Sequence, residues 1–429
     1  MSLVLFEDAQ CERLAPVTYA RLACNIHCGS FRLADVVEQL QTPVHAIVRQ
    51  HLESQQRIDH PLLQTLDSIP PENATSRPTI MLNARLTPSI ATREGIAAAL
   101  QHGREHPNES LAILDRDHVA AIINPPWSYA DLQLAGFDGL KQLLESAKDF
   151  ATPTNAPKLT TFAFPHEIVA CNMACIEENL ELRIRSGLEN HSLTQLQDGV
   201  FVAQGAQIGE YVLTDTRKGP IIVERGAQIG PYTLLRGPIY IGPKTKVLEH
   251  SAIKDCVTLA HTTKIGGEVE ASIVEPFTNK QHHGFLGHSY LGSWINLGAG
   301  TCNSDLKNTY GTVNMEYSLG KAATQMQFLG CIMGDYSKTA INTGIFTGKV
   351  IGVCSMMYGF VTSNVPSFVN YARLFGQVAS LPPEVMVSTQ QRMFARRDVA
   401  QRGCDIQLIY DMHRITQSER DRLGEALVF

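Results

Sequence analysis

Three imidazoles stand close together in one polar stretch of the sequence, at His282, His283 and His288. An unperturbed imidazole titrates closer to neutral pH than other side chains, so it can accept a proton as a general base. Neutral imidazoles also bind Zn²⁺. The nearest carboxylates, Glu268 and Glu270 among them, belong to a different segment. The residue types therefore favour proton transfer over a zinc site.

The cysteines are a second group that can do chemistry. Ten of them are scattered along the chain without a Cys-x-x-Cys pair. Cys24 with Cys28, and Cys171 with Cys175, are four residues apart, which places both thiols on one face if the segment is helical. We interpret them as free buried thiols, with a metal or redox role as the alternative.

Length and composition limit the class of protein. The 429 residues exceed one ordinary core and predict two or three folded units. Hydrophobic residues are 44% and charged residues 18%, as in globular proteins. A net charge of −6 without a Lys/Arg cluster argues against nucleic acid as a partner. No signal peptide or membrane-spanning stretch is evident, so we expect a cytoplasmic protein with no membrane partner.

Apolar residues recur at every sixth position on both sides of the imidazoles, and this period predicts the scaffold that carries them. Each hexad predicts one short strand whose apolar residue points inward, and three hexads complete one coil. We expect small or φ-permissive residues at the corners. A β-sandwich would instead show period-two alternation. The sequence thus predicts a left-handed parallel β-helix. The inward positions are Val223, Ile229, Leu235, Ile241, Val247, Ile253, Leu259 and Ile265, then Phe285, Leu291 and Leu297, then Met333, Thr339, Ile345, Ile351 and Met357.

The period is interrupted at Ala271–Gly284 and at Cys302–Gly330. Both segments are predicted to be loops that project from the coil. Loops held on a rigid scaffold are where a functional site is expected.

The N-terminal part has another pattern, in which short apolar strands alternate with helix-like stretches, as in an α/β sheet domain. A site in such a domain is expected at the carboxyl ends of the strands. The predicted strands are Ser2–Phe6, Val44–Val48, Thr79–Leu82 and Leu111–Asp115, and the predicted helices are Leu33–Leu40, Thr92–His102 and Asp131–Ser146.

Four regions follow from these patterns. We expect an α/β domain at 1–155, a linker with a connecting helix (Val169–Glu181) at 156–199, the β-helix at 200–360, and a partly helical tail at 361–429. The tail helices are predicted at Glu384–Arg397 and Ser418–Leu427, packed on the coil or on a neighbouring subunit.

Two motifs carry a resemblance to a known family. The first is His282-His283-Gly284-Phe285-Leu286-Gly287, followed by Ile295-Asn296-Leu297-Gly298-Ala299-Gly300-Thr301 and Cys302-Asn303. The second is Arg13-Leu14-Ala15-Pro16-Val17-Thr18, with Arg21 and Gly29. With the domain order over residues 1–370, they resemble the bifunctional N-acetylglucosamine-1-phosphate uridylyltransferase/glucosamine-1-phosphate acetyltransferases, and still more closely the GlmU-like sugar nucleotidyltransferases.

The resemblance implies a Rossmann-like nucleotidyltransferase domain joined to a β-helix that transfers an acyl group from acetyl-CoA. It implies that His282 is the general base and that the enzyme is a homotrimer, with CoA sites between neighbouring coils. Backbone groups at Ala299, Gly300 and Gly334 match positions that contact the acyl and pantetheine groups, and Asp335 stands where the family has a serine. Phe285 and Asn303 match acceptor-binding positions.

The chain departs from the family in the acceptor pocket. Where the acetyltransferase has two lysines that hold a sugar phosphate, this chain has Glu270 and Ala271. Either another cation replaces the pair, at Lys280, Lys307 or Lys254, or the acceptor is not glucosamine 1-phosphate.

The nucleotidyltransferase motif departs further. The loop Phe6-Glu7-Asp8-Ala9-Gln10-Cys11 contains no glycine to approach a triphosphate, and Leu82-Asn83-Ala84-Arg85 contains no carboxylate for Mg²⁺. Asp8 is a candidate metal ligand and Arg13 a candidate substrate contact, with Mg²⁺ needed only if this domain is active.

Three functions stay open from the sequence. The first is CoA-dependent N-acyl transfer to a sugar phosphate or sugar nucleotide. The second is formation of a sugar nucleotide from a nucleoside triphosphate and a sugar 1-phosphate, with the coil as a trimerising scaffold. The third is sugar-nucleotide binding without catalysis.

Overall fold

The computed structural model describes residues 2–40, 42–152 and 156–421. The chain divides into two units. Unit 1 comprises Met1–Leu14, Ala20–Ile26 and Phe31–Ala163, and unit 2 comprises Ala15–Tyr19, His27–Ser30 and Phe164–Phe429. The four predicted region boundaries stay a prediction, and residues 153–155, at the end of the first region, lie outside the described residues.

Unit 1 is built on a mixed sheet in the order β3-β2-β1-β4-β6-β5. Strands β1 to β4 are parallel, whereas β6 is antiparallel to both β4 and β5. The strands are β1 (Leu3–Phe6), β2 (Val44–Ile47), β3 (Leu63–Thr65), β4 (Ile80–Asn83), β5 (Leu111–Asp115) and β6 (His118–Ile123), and the helices are α1 (Leu33–Glu38), α2 (Glu53–Asp59), α3 (Ile90–Glu105) and α4 (Tyr129–Ala147).

The predicted strands and helices of this part of the chain are confirmed, while β3, β6 and α2 are additional. Strand β6 escaped prediction because a tight turn at Arg116 and Asp117, both with positive φ, folds it back directly on β5. The carboxyl ends of the parallel strands β2, β1 and β4 form one sheet edge. Each of them is followed by charged or amide side chains.

Unit 2 contains a coil whose described strands form three faces of parallel strands, and most strands pair with their equivalent one turn later. Face 1 consists of β8 (Val200–Ala203), β11 (Ile221–Val223), β14 (Ile239–Ile241), β17 (Val257–Leu259), β20 (Ile273–Val274), β23 (Tyr290–Leu291), β27 (Cys331–Met333) and β30 (Lys349–Ile351). Face 2 consists of β9 (Gln207–Ile208), β12 (Gln228–Ile229), β15 (Lys246–Val247), β18 (Lys264–Ile265), β21 (Asn279–Lys280), β28 (Lys338–Thr339), β31 (Met356–Met357) and β33 (Val369–Ala372). Face 3 consists of β10 (Leu213–Asp215), β13 (Leu234–Arg236), β16 (Ala252–Lys254), β19 (Glu268–Glu270), β22 (Phe285–Gly287), β24 (Cys302–Asn303), β29 (Gly344–Ile345) and β32 (Phe360–Val361).

The interior of the coil is an aliphatic column formed by side chains from all three faces, buried to 3% exposure or less from Val200 to Val369. Burial of apolar surface in such a column is the main force that holds a solenoid together. The predicted fold class, an α/β domain followed by a left-handed parallel β-helix with a helical tail, is confirmed.

The predicted loop at Ala271–Gly284 is wrong. Strands β20 and β21 continue faces 1 and 2 through it. The six-residue period fails because Val269 and Val274 follow Ile265 at shorter spacings and because Lys280 takes an inward position. The inward residue of β22 is Leu286, paired with Val269, and not Phe285.

The predicted loop at Cys302–Gly330 leaves the coil after β24. It carries an antiparallel hairpin, β25 (Asn314–Tyr317) with β26 (Gly320–Ala323). It then returns to face 1 at β27.

The corner residues differ from expectation. Tyr211, Tyr232 and His250 hold positive φ, from +56° to +58°, and their rings stack at centroid distances of 5.0 and 5.3 Å. Ring stacking on successive turns helps to offset the strain of that conformation. Gly230 is needed for space, because a Cβ there would lie 2.4 Å from the Glu249 nitrogen of the next turn.

Helices cover parts of the coil. Helix α5 (Pro165–Glu189) buries Ile176 and Leu180 against the outer side of face 1. Strand β7 (Leu193–Gln197) pairs with β8, and β34 (Gln377–Ser380) pairs with β33, both antiparallel.

The tail contains α6 (Pro383–Ala395), α7 (Gly403–Ile415) and α8 (Gln417–Asp421). It packs on the coil of the same chain, because the ring centroids of Phe394 and Trp294 are 4.4 Å apart. The last part of the predicted helix Ser418–Leu427, from residue 422, lies outside the described residues. In the described part of the chain, no helix has both the length and the apolar character needed to cross a bilayer.

Candidate functional site

Two segments that the sequence singled out, residues 282–288 and 299–305, lie side by side on successive turns of the coil. The Gly300 N–H donates to the His283 carbonyl oxygen at 3.0 Å, and further hydrogen bonds continue the pairing as far as Asp305. Residues one full turn apart are neighbours in a solenoid. The fold therefore brings the imidazoles and the glycine-rich run together.

His282 lies at the corner after β21, between faces 2 and 3, and its side chain is exposed. Its Nε2 is 3.2 Å from the side-chain nitrogen of Gln281. A general base needs a ring nitrogen within hydrogen-bond reach of the substrate proton, and this exposure allows it. His283 is exposed beside it.

The backbone at Ala299 and Gly300 occupies the same corner one turn later. The Ala299 carbonyl accepts a hydrogen bond from the Asn342 N–H at 2.7 Å. Gly300 has φ +74°, and a Cβ there would lie 2.1 Å from Oδ1 of Asn342. The conformation of this corner therefore requires glycine.

Gly334 and Asp335 lie at a different corner, after β27 and between faces 1 and 2. The Gly334 N–H donates to the Ile351 carbonyl at 2.8 Å, and Oδ1 of the buried Asp335 accepts from the Ser293 N–H at 2.7 Å. Within one chain, the fold does not bring these two residues to the corner of His282.

Lys280 points into the coil and is 2% exposed. Its Nζ donates to the carbonyl oxygens of Gly266 at 2.7 Å and His282 at 2.9 Å. Burial lowers the pKa of the Lys280 ammonium to about 8. Its role in binding substrate stays a prediction, which this burial disfavours.

The two other lysines considered as phosphate contacts are engaged in the protein. Lys254 pairs with Glu268 and, at 3.0 Å, with Oε2 of Glu270. Lys307 donates to the Thr312 carbonyl. Whether either lysine holds a sugar phosphate stays a prediction.

Asn303 is buried, and its side-chain amide bonds the backbone of Gly287 on both sides. Oδ1 accepts from the Gly287 N–H at 2.9 Å, and Nδ2 donates to the Gly287 carbonyl at 3.0 Å. Phe285 is half-buried, and its N–H donates to Sγ of Cys302 at 3.3 Å. Acceptor binding by Asn303 and Phe285 stays a prediction.

Sequence reasoning missed the partner of His288. Nδ1 of His288 lies 2.8 Å from Oδ2 of Asp305, and the ring stacks on Phe328 at 5.4 Å. A carboxylate that holds one ring nitrogen orients the imidazole and supports its positive charge. The signal was a separation of 17 residues, which is close to one turn of the coil.

In unit 1, the carboxyl edge of the sheet contains two buried ion pairs. Glu7, after β1, accepts from Nε and Nη2 of Arg49, after β2, each at 3.0 Å. The Ala23 N–H also donates to Glu7 at 2.8 Å. Glu7 is fully buried, so its charge depends on these partners.

The second pair joins Asp8 to Arg85. Nε of Arg85 donates to Oδ1 at 2.8 Å and Nη2 donates to Oδ2 at 2.7 Å, while Nδ2 of Asn83 donates to Oδ2 at 2.9 Å. Arg85 also donates to the Phe162 carbonyl. The sequence signal was the segment Leu82-Asn83-Ala84-Arg85, which contains an arginine and no carboxylate.

These contacts do not fit a Mg²⁺ ion at Asp8. Magnesium in proteins is held by oxygen atoms of carboxylates, water and substrate phosphates. Here both oxygens of Asp8 already accept from a guanidinium, which supplies the positive charge. Arg13, the other predicted residue of this edge, has Nη1 3.5 Å from Oε1 of Gln10.

Comparisons with known proteins bear on both units. Residues 3–186 match the family model of sugar nucleotidyl transferases. The match covers less than half of the chain, and it confirms the resemblance seen in the sequence. A bifunctional sugar-1-phosphate nucleotidylyltransferase/acetyltransferase from Sulfurisphaera tokodaii is 29% identical over 33% of this chain and 36% of its own length. A bifunctional protein GlmU from Methanococcus vannielii is 24% identical over 51% of this chain and 47% of its own length.

The chain thus spans between about a third and a half of these two relatives. Among solved structures, UDP-N-acetylglucosamine O-acyltransferase from Moraxella catarrhalis covers 51% of this chain and 96% of its own, at 12% identity and a TM-score of 0.23. The account of the coil therefore depends on its own strand pairing.

Proposed function

We propose that unit 2 catalyses N-acyl transfer from an acyl-CoA, such as acetyl-CoA, to an amino group on a sugar phosphate or sugar nucleotide. The observation that supports it is the pairing of residues 282–288 with 299–305, which places an exposed imidazole beside a glycine-bearing corner. The name of the relative from Sulfurisphaera tokodaii includes acetyltransferase activity.

In the proposed reaction, His282 accepts the proton of the substrate amine as the amine nitrogen attacks the thioester carbonyl. A C–N bond forms and the C–S bond breaks, and the departing CoA sulfur takes up the proton from the imidazole. The backbone N–H of Ala299 would stabilise the negative charge on the carbonyl oxygen.

We further propose a homotrimer as the active form. Gly334 and Asp335 lie at another corner from His282, so a site that uses all of them needs the corner of a second coil. Light scattering coupled to size exclusion measures this directly, and a monomeric active protein would contradict it.

His282→Ala tests the catalytic proposal, with His250→Ala as the control for an exposed imidazole elsewhere on the coil. Acyl-CoA is offered with a panel of amino-sugar phosphates and nucleotide amino sugars, and free CoA is measured by chromatography. Loss of general base catalysis should lower kcat by about 10²–10⁴-fold in His282→Ala only. A similar loss in His288→Ala with His282→Ala unchanged would overturn the assignment and move the base to the His288–Asp305 pair.

The family match over residues 3–186 favours a second function in unit 1, the binding of a nucleoside triphosphate or sugar nucleotide, with formation of a sugar nucleotide and release of pyrophosphate as the catalytic alternative. Pyrophosphate release from each nucleoside triphosphate with sugar 1-phosphates tests it. Because Arg85 occupies both oxygens of Asp8, we expect ligand binding without Mg²⁺-dependent turnover. Thermal stabilisation by UTP or a UDP-sugar would then appear without pyrophosphate.

A further inference from the structure

Three cysteines of unit 2 meet where the segment His27–Ser30 lies against helix α5. Cys171 and Cys175 are one helical turn apart, and Cys28 comes from the short segment His27–Ser30. The sulfur atoms all lie within 4.8 Å of one another, and Sγ of Cys171 is 4.0 Å from Sγ of Cys175. The sequence paired Cys28 with Cys24, whereas the fold places it with the two helical thiols.

We propose that Cys28, Cys171 and Cys175 bind a thiophilic d10 cation, Zn²⁺ or Cu⁺. Zinc–sulfur bonds are ~2.3 Å long, so thiolates around a tetrahedral ion are separated by about 3.8 Å. The sulfur separations, 4.0 Å for Cys171 and Cys175 and within 4.8 Å for all three, need to contract by at most about 1 Å. Thiolate ligands select these soft ions over Mg²⁺ or Ca²⁺.

The segment that carries Cys28 is held in place by helix α5. Oδ1 of Asn172 accepts from the Gly29 N–H at 2.8 Å, and Nδ2 of Asn179 donates to the Gly29 carbonyl at 2.8 Å. Arg183 continues the line by donating to the Oγ of Ser30 at 3.1 Å. Both sides of the Gly29 backbone are thus fixed, so the third thiol is positioned before any ion arrives.

Groups around the sulfurs suit a metal site. Nδ2 of Asn179 lies 3.7 Å from Sγ of Cys175, in the place of a hydrogen-bond donor to a ligating thiolate. Cys28 and Cys175 are buried, whereas Cys171 is partly exposed and offers a route for the ion. The fourth coordination position of a zinc ion would face this exposed side.

Binding forms three metal–sulfur bonds and releases the three thiol protons to solvent. The bound ion would cross-link the segment His27–Ser30 to α5. It would therefore stabilise the folded state in proportion to the logarithm of its free concentration. The site would be separate from the proposed acyl-transfer site, because none of its three ligands lies in the segments 282–288 or 299–305.

The full-length, reduced protein is stripped with a chelator and titrated anaerobically with Zn²⁺ or Cu⁺ against a chromophoric competitor for each ion. Cys171→Ser is the test variant, since its side chain is partly exposed, and Cys404→Ser is the control with a similarly half-buried thiol on α7. We expect one equivalent of one ion to bind, with affinity at least about tenfold weaker in Cys171→Ser and unchanged in Cys404→Ser. The ion should also raise the Tm of the wild type.

The proposal would be overturned if the protein took neither ion from its chromophoric competitor. Equal affinities of the wild type and Cys171→Ser would overturn it as well. Thiol titration after air oxidation is the second measurement. Rapid loss of two thiols without metal binding would instead identify a redox-active pair and reject the metal site.

Discussion

Arg85 holds Asp8 by both carboxylate oxygens, at 2.8 Å from Nε to Oδ1 and 2.7 Å from Nη2 to Oδ2. Asp8 follows β1 and Arg85 follows β4, so the pair joins two parallel strands at the edge where α/β proteins bind ligands. Arg85 is 1% exposed. A permanent cation thus lies against Asp8, the residue predicted as a candidate metal ligand.

Arg85→Met should strongly destabilise unit 1. Removal of one partner leaves the Asp8 charge buried, and a broken buried pair typically costs about 3–5 kcal/mol of the free energy of unfolding. Arg57→Met is the control, because the Arg57–Asp67 pair is exposed and should contribute less than about 1 kcal/mol. Chemical denaturation measures both, and equal losses would contradict the prediction.

Lys280 should make stability depend on pH. Burial lowers its pKa to about 8 in the folded protein, whereas a lysine in the unfolded chain titrates near ~10.4. Between these values the unfolded state binds more protons, so the free energy of unfolding gains a contribution that rises with pH. Lys280→Met should lose this contribution.

Denaturation of both proteins from about pH 7 to about pH 10 tests the sign. Leu297→Met, which places the same side chain at the next inward position of face 2, should keep the wild-type dependence. If the wild type and Lys280→Met change in parallel, the buried ammonium is not the cause.

Gly29→Ala should cost more stability than a positive φ alone explains. Gly29 has φ +58°, and a Cβ there would lie 2.4 Å from Sγ of Cys175. Gly376→Ala is the matched control, with φ +73° and open space around the Cβ. We expect about 1 kcal/mol for Gly376→Ala and at least about 1–3 kcal/mol more for Gly29→Ala. Similar losses would show that the helix can move away.

Phe394 should govern the docking of the tail. It is 4% exposed, and its ring packs on Trp294, which in turn stacks on Phe277 at 4.3 Å. Phe394→Ala should make the free energy of docking the tail on the coil less favourable by roughly 3 kcal/mol, because it deletes a buried aromatic ring. Faster amide hydrogen exchange in α6 and α7 would report it. Val385→Ala, at an exposed position of α6, should leave exchange unchanged.

The wall of the coil could be predicted because every inward position makes the same demand. From Val223 to Ile265 every sixth residue must be apolar, so the period is visible in a single sequence. The period was lost where corners shorten and where Lys280 turns inward. A buried lysine satisfied by two backbone carbonyls has no pattern that distinguishes it from a surface lysine.

The candidate site was predictable only in part. The proximity of His282 to Ala299 was implied by the family resemblance, but the His288–Asp305 pair depends on the exact length of one turn. Similarly, the Asp8–Arg85 pair depends on the neighbouring positions of β1 and β4 in the sheet, which strand prediction does not give. Pairs of this kind need the register as well as the elements.

At each end of the coil, one face is closed by a strand that is antiparallel to its neighbour. Strand β7 reverses against β8 at the first edge of face 1, and β34 reverses against β33 at the last edge of face 2. A second coil docked there with its strands parallel to the stack would meet a strand of the opposite polarity, which interrupts the parallel pairing on that face. Copies of this protein are therefore discouraged from joining tip to tip into fibres, and self-association is left to the flanks.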